Sequence, residues 1–92
     1  MSNVQDNPAK QQFELIVDGY TALAAYRLRD GIITFTHTEV PKELGGRGIG
    51  STLAKEALNQ VRERGLKVVP LCPFIKAYID KNPEYRDLLA AQ

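Results

Sequence analysis

Two Asp-Gly pairs, Asp18-Gly19 and Asp30-Gly31, cut the front of this chain into three runs that alternate with a period of two. Glycine accepts positive φ without steric cost, so each pair supplies a tight hairpin turn. Phe13 to Asp18 is rich in strand formers. Tyr20, Ala22, Ala24, Tyr26 and Leu28 alternate next, with Arg27 and Arg29 on the opposite, solvated face. Ile32 to about Val40 forms the third run. Period-two alternation marks a strand, and three strands joined by two tight turns make an antiparallel meander. Ahead of them, Met1 to about Gln11 reads as a polar, mobile tail. Residues 12–92 then form a single domain.

After Val40 the period changes. Pro41 ends the third strand, and Leu44 to Gly50 is too glycine-rich for regular structure. From Ser51 to Arg64 the apolar residues Leu53, Ala54, Ala57, Leu58 and Val61 fall on one helical stripe. Arg62 and Arg64 suit the negative end of the helix dipole, and Gly65 suits its C-terminal cap. Leu66 to Leu71 is a short buried strand. A strand, a helix and another strand imply a crossover to a parallel neighbour. Pro73 to about Lys81 is a short helix. Asn82-Pro83 starts a last one, with Asn82 as N-cap and Pro83 at the first helical position. The expected architecture is α/β: a mixed sheet of three antiparallel strands and one parallel strand, a crossover helix, and short C-terminal helices.

Composition removes several function classes. The chain has 92 residues, with 12 Lys+Arg against 11 Asp+Glu and a formal charge of +1. Such balance gives no electrostatic reason to bind nucleic acid or an anionic membrane. One cysteine, Cys72, allows no internal disulfide framework and no Cys-rich zinc site, so no metal is expected. No apolar run is long enough to span a bilayer. The N-terminus lacks the blocks of a signal peptide, and a free thiol suits a cytoplasmic location.

Gly45-Gly46-Arg47-Gly48-Ile49-Gly50 lies between a strand and a helix start. Glycines let the backbone approach a ligand and turn its N–H groups inward. The helix dipole adds partial positive charge at the same point, so the loop reads as a pyrophosphate cradle. The blander alternative is a flexible loop with no ligand. A P-loop would need Lys after its last glycine, where Ser51 and Thr52 stand. A dinucleotide fold would need repeated βαβ units and an acidic residue about twenty positions on. The chain has Val68-Val69-Pro70 there.

The run Val40 to Leu58 resembles motif A of the GNAT superfamily of N-acetyltransferases, Arg/Gln-x-x-Gly-x-Gly/Ala. Gly48 and Gly50 fill its two small positions. Gly45 stands where Arg or Gln is usual, and Arg47 is the candidate replacement. Phe35 to Val40, Leu71 to Ile75 and Asn82 to Tyr85 further resemble the small YjdJ-type branch. The resemblance implies that acetyl-CoA is the cosubstrate and a primary amine the acceptor. It places the diphosphate on Gly45, Gly46, Arg47, Gly48, Ile49, Gly50 and Ser51. It places the pantetheine between two splayed parallel strands, Ile32–Val40 and Leu66–Leu71, with the Val40 backbone near the acetyl carbonyl. Pro70 supports the splay independently, since proline donates no ladder hydrogen bond.

Four side chains are candidates for chemistry. Cys72 follows the last strand and sits near the N-cap of the next helix, where a dipole stabilises a thiolate. It would either carry the acetyl group covalently or line the site, and the bland reading is a small buried residue. His37 and Glu39 share a strand face, expected to be that of Ile33 and Phe35. Either can take the ammonium proton, and Glu39 is the better match to the strand-end carboxylate of the superfamily. Tyr78 would protonate the departing CoA thiolate, or else be a core tyrosine. The expected function is acetyl transfer to a protein lysine, an N-terminus or a small amine by a monomer or weak dimer. The alternative is a non-catalytic CoA-binding module.

Overall fold

The computed structural model describes residues 3–90. Five strands stand side by side in chain order: β1 Gln5–Asn7, β2 Gln12–Val17, β3 Tyr20–Arg29, β4 Ile32–Glu39 and β5 Lys67–Pro70. β1 to β4 pair antiparallel, and β4 pairs with β5 in parallel. At the two Asp-Gly hairpins both turn residues have positive φ, 52° and 81° at Asp18-Gly19 and 54° and 78° at Asp30-Gly31. This is the geometry of a type I′ turn, whose twist matches that of the flanking strands.

The expected mobile tail is instead structured over its described residues; Met1 and Ser2 lie outside them. β1 pairs Gln5, Asp6 and Asn7 with Glu14, Phe13 and Gln12. Val4 is buried, and its carbonyl accepts from Gln60 Nε2 at 2.7 Å. Asp6 accepts from the Tyr26 hydroxyl at 2.6 Å and from Arg64 at 2.8 Å. An edge strand with one apolar anchor reads as polar, because its partners are hydroxyl, amide and guanidinium groups far away in sequence.

α1 spans Ile49–Glu63 and α2 spans Pro73–Lys81. α1 begins two residues before the sequence suggests, so Ile49 and Gly50 are helical. It ends in a Schellman cap: Gly65, at φ 70°, donates to the Arg62 carbonyl, and Leu66 N–H to that of Val61. The last expected helix is a 3₁₀ turn, Pro83–Leu88. Asn82 does not cap it with its side chain. Its Nδ2 turns back to the Tyr78 carbonyl at 2.8 Å, closing the end of α2.

Phe13, Tyr26 and Phe35 form the centre of the core, with ring centroids 5.4 to 6.5 Å apart. The α1 stripe of Leu53, Ala54, Ala57, Leu58 and Val61 is buried on this face, as are Ile75 and Ile79 of α2. These residues make one cluster with Ala22, Ala24, Ile33 and Val68, so both helices cover the same side of the sheet. The other side stays open: Ile16 is 65% exposed, and His37 and Glu39 face solvent.

Candidate functional site

Pro41 stops β4, and a 3₁₀ turn at Lys42–Leu44 leads into the glycines. Gly48 is the N-cap of α1 at φ 69°. No side chain caps the helix and no acidic residue occupies its first turn. Thr52 N–H donates to the Gly48 carbonyl, the first intrahelical bond, which leaves the amides of Ile49, Gly50 and Ser51 without an intrahelical acceptor. Nothing lies within 4 Å of where a Cβ would stand on Gly46 or Gly48. Both positions therefore face open space, and the donors behind it fit a diphosphate. Gly50 is small for another reason, since a Cβ there would meet the Phe74 ring at 2.8 Å. The Arg47 guanidinium reaches away to Asp18 of the β2–β3 hairpin at 2.6 Å, a partly exposed ion pair.

β4 is irregular where it passes this loop. Phe35 opposes Tyr26 and His37 opposes Ala25, so Thr36 is an extra residue, a β-bulge. A bulge resets the alternation. Beyond it Thr38, opposite Ala24, points to the core side, while His37 and Glu39 point to the open side. The expectation that His37 and Glu39 continue the face of Ile33 and Phe35 is thus corrected by one inserted residue. They do share a face with each other, and His37 Nε2 lies 2.9 Å from Glu39 Oε2, with side chains 60% and 61% exposed.

The parallel ladder ends at Phe35–Pro70, whereas β3 stays paired to β4 as far as Glu39. Pro70 and the turn after it carry β5 away. Cys72 N–H still donates to the Phe35 carbonyl at 2.9 Å, the last bond before the gap. The edge of Thr36–Glu39 that faces away from β3 has no strand beside it. Val40, 38% exposed, lies at the end of that edge.

Cys72 occupies the N-cap of α2 as the sequence suggests, but its side chain does not cap the helix. The residue is 2% exposed, and Sγ lies 3.1 Å from Thr38 Oγ1. Thr38 thus joins the candidate site, which the sequence did not reveal, since a run of Thr-His-Thr gives no sign of a bulge. Tyr78 lies half-buried on α2, 5.9 Å from the Tyr85 ring. Burial, and then the neighbouring Tyr85 and Glu84, push its pKa up. Ser51, Phe74, Ala77, Tyr78 and Lys81 line a groove of about 170 Å³ between the start of α1 and the side of α2. Phe74 and Lys81 were also absent from the sequence-derived site. Their i, i+4, i+7 spacing with Tyr78 is visible, but not that it faces Ser51. Among the described residues, no three His, Cys, Asp or Glu side chains gather to hold a metal, and no helix is long and apolar enough to cross a membrane.

These features coincide with a known family. The model of the GCN5-related N-acetyl-transferase family matches residues 12–88. Protein NATD1 of Mus musculus is 36% identical over 83 residues, 87% of this chain and 76% of the relative. Protein NATD1 of Gallus gallus is 46% identical over 52 residues, 56% of this chain and 47% of the relative. A solution structure from Staphylococcus aureus, described as GCN5-like, superposes with a TM-score of 0.72 at 32% identity, covering 100% of this chain and 93% of that one. The chain belongs to the GCN5-related N-acetyltransferase family.

Proposed function

We propose that this protein transfers acetyl from acetyl-CoA to a primary amine, as a small YjdJ-type member of the superfamily. One observation carries the reading. The partnerless edge of β4 runs between an uncapped, glycine-opened helix start and an exposed His37–Glu39 pair. The diphosphate belongs on the amides of Ile49, Gly50 and Ser51, in the space left by Gly46 and Gly48. Gly45 lets the chain turn close to the Lys42 carbonyl, 3.1 Å from where its Cβ would be. Arg47 exchanges Asp18 for a phosphate oxygen. The pantetheine extends β4 as a strand would, with the Val40 backbone at the acetyl end. The acceptor enters from the open face of the sheet.

Acetyl-CoA supplies an activated thioester carbon. Glu39, held by His37, takes one proton from the acceptor ammonium. The freed amine attacks the carbonyl, the C–N bond forms and the C–S bond breaks. The second proton of the nitrogen leaves to solvent, and Tyr78, a phenol protonated at neutral pH, gives a proton to the sulfur. Holding thioester and amine together supplies most of the rate gain. Cys72 is buried against Thr38, which supports a wall rather than an acetyl carrier.

Calorimetry with CoA, followed by mass spectrometry of an amine panel after incubation with acetyl-CoA, tests this. Saturable CoA binding and an acetylated amine are expected, with no acetyl on Cys72 and turnover of Cys72→Ala within a few-fold of the parent. Absence of CoA binding overturns the reading. CoA binding without transfer reduces the protein to a CoA-binding module, and acetyl on Cys72 replaces direct transfer with a covalent route.

A further inference from the structure

We infer that Asp18, at the tip of the β2–β3 hairpin, competes with the CoA diphosphate for Arg47 and so sets how tightly the coenzyme is held. This rests on the acetyl-transfer reading above. The Asp18 carboxylate accepts from the Arg47 guanidinium at 2.6 Å, across 29 positions of sequence. The pair ties the hairpin to the glycine loop and puts a negative charge on the one side-chain cation of that loop. A phosphate that takes Arg47 must displace Asp18, and a carboxylate left close by opposes the phosphate charge.

The turn does not need this charge. Asp18 and Gly19 have φ of 52° and 81°, and Asn-Gly serves a type I′ turn as well as Asp-Gly does. An asparagine there would leave Arg47 without a counter-charge. The carboxylate is therefore matched to Arg47 rather than to the hairpin.

The pair is also built to part. Asp6, largely buried, holds Arg64 and the Tyr26 hydroxyl together. Arg62 donates to the Glu84 carbonyl as well as to Asp87. Arg47 and Asp18 share one hydrogen bond, with both side chains at least half exposed, and an exposed pair of this kind is weak. Its two members differ in stiffness. Asp18 directly follows Val17, which is paired to Tyr20 across the two-residue turn. Arg47 stands between Gly46 and Gly48, at φ 79° and 69°, where the backbone is freest to re-aim a side chain. Arg47 is the member that moves, and Asp18 stays in place to take it back. Ligands with a diphosphate win the guanidinium and phosphate-free ones do not, so the pair screens thioester donors by their phosphates and favours release over the tightest grip.

The test compares the parent with Asp18→Asn by calorimetry, using CoA, inorganic pyrophosphate and phosphate-free pantetheine. Asp18→Asn should tighten CoA and pyrophosphate about fivefold, roughly the worth of one exposed ion pair, and leave pantetheine unchanged. In an Arg47→Gln background the same substitution should alter either affinity by less than about twofold, because the competition needs both groups. The KM for acetyl-CoA should fall with the CoA Kd while the amine KM and the urea midpoint stay where they are; a merely structural carboxylate would move the midpoint instead. Unchanged or weaker CoA binding in Asp18→Asn, or the same gain in the Arg47→Gln background, overturns the competition and leaves acetyl transfer standing. A pyrophosphate gain in a protein that takes up no CoA keeps the competition and overturns the acetyl-transfer reading.

Discussion

β4 is two strands in one. Its first half, Ile32–Phe35, is laddered on both sides, to β3 and to β5, and supplies Ile33 and Phe35 to the core. Its second half, Thr36–Glu39, keeps only the β3 partner and carries exposed His37 and Glu39. One extra residue, Thr36, marks the boundary. The first half shows what a sheet needs for stability: two neighbours, buried side chains and satisfied amides. The second half gives up one neighbour, and under the proposed function the pantetheine takes the place of that neighbour. The bulge separates the two tasks, since it turns Glu39 outward without altering the phase of Phe35.

Substitutions in each half should have opposite signatures. Phe35→Ala carries the largest expected effect. Phe35 is fully buried between Phe13 and Tyr26, and its loss should cost about 3–5 kcal/mol in urea unfolding. That is a large part of the roughly 5–15 kcal/mol that holds a domain together. A cost near that of a surface change would break the comparison. Glu39→Gln should do the reverse. It should lower kcat about a hundredfold or more, the range of a lost general base, while stability changes by no more than about 0.5 kcal/mol, as at an exposed position. A parallel fall in stability and activity would mean that the outer half is structural after all.

The sequence made the first half legible and the second half only partly so. The Asp-Gly turns, the alternation of β2 to β4 and the α1 stripe are local patterns, and each leads to the observed element. The glycine loop was legible for the same reason, as a local departure from any regular pattern. The side assigned to His37 and Glu39 was not, because a bulge at Thr36 is decided by pairing with Ala25 and Tyr26, on another strand. The contact of Thr38 with Cys72 follows from that same bulge. β1 was missed because its anchors, Gln60, Arg64 and Tyr26, come from α1 and β3. Arg47 is a related case. Its place in the loop was plain, but its pairing with Asp18 depends on how the hairpin folds over.

Tyr26 gives the smallest and sharpest test, because it faces Phe35 in the last regular pair before the bulge. Its hydroxyl donates to Asp6 at 2.6 Å, and burial, with Asp6 beside it, pushes its pKa from 10.0 up to about 12. Below pH 10 the phenol is protonated in the native and unfolded chains alike, and the stabilisation is complete. Between pH 10 and 12 the unfolded chain loses this proton while the native chain keeps it, so stability falls as pH rises. Tyr26→Phe should remove about 1 kcal/mol at neutral pH, the worth of one hydrogen bond. Asp6 keeps Arg64 as a partner in that variant. The alkaline decline should then become shallower without vanishing, since Tyr78 and Tyr85 are also shifted upward by burial. Urea unfolding of both proteins at pH 7, 10 and 12 reads the difference. An unchanged alkaline slope would show that water reaches this pair, and that the closed half of β4 ends before Phe35 rather than after it.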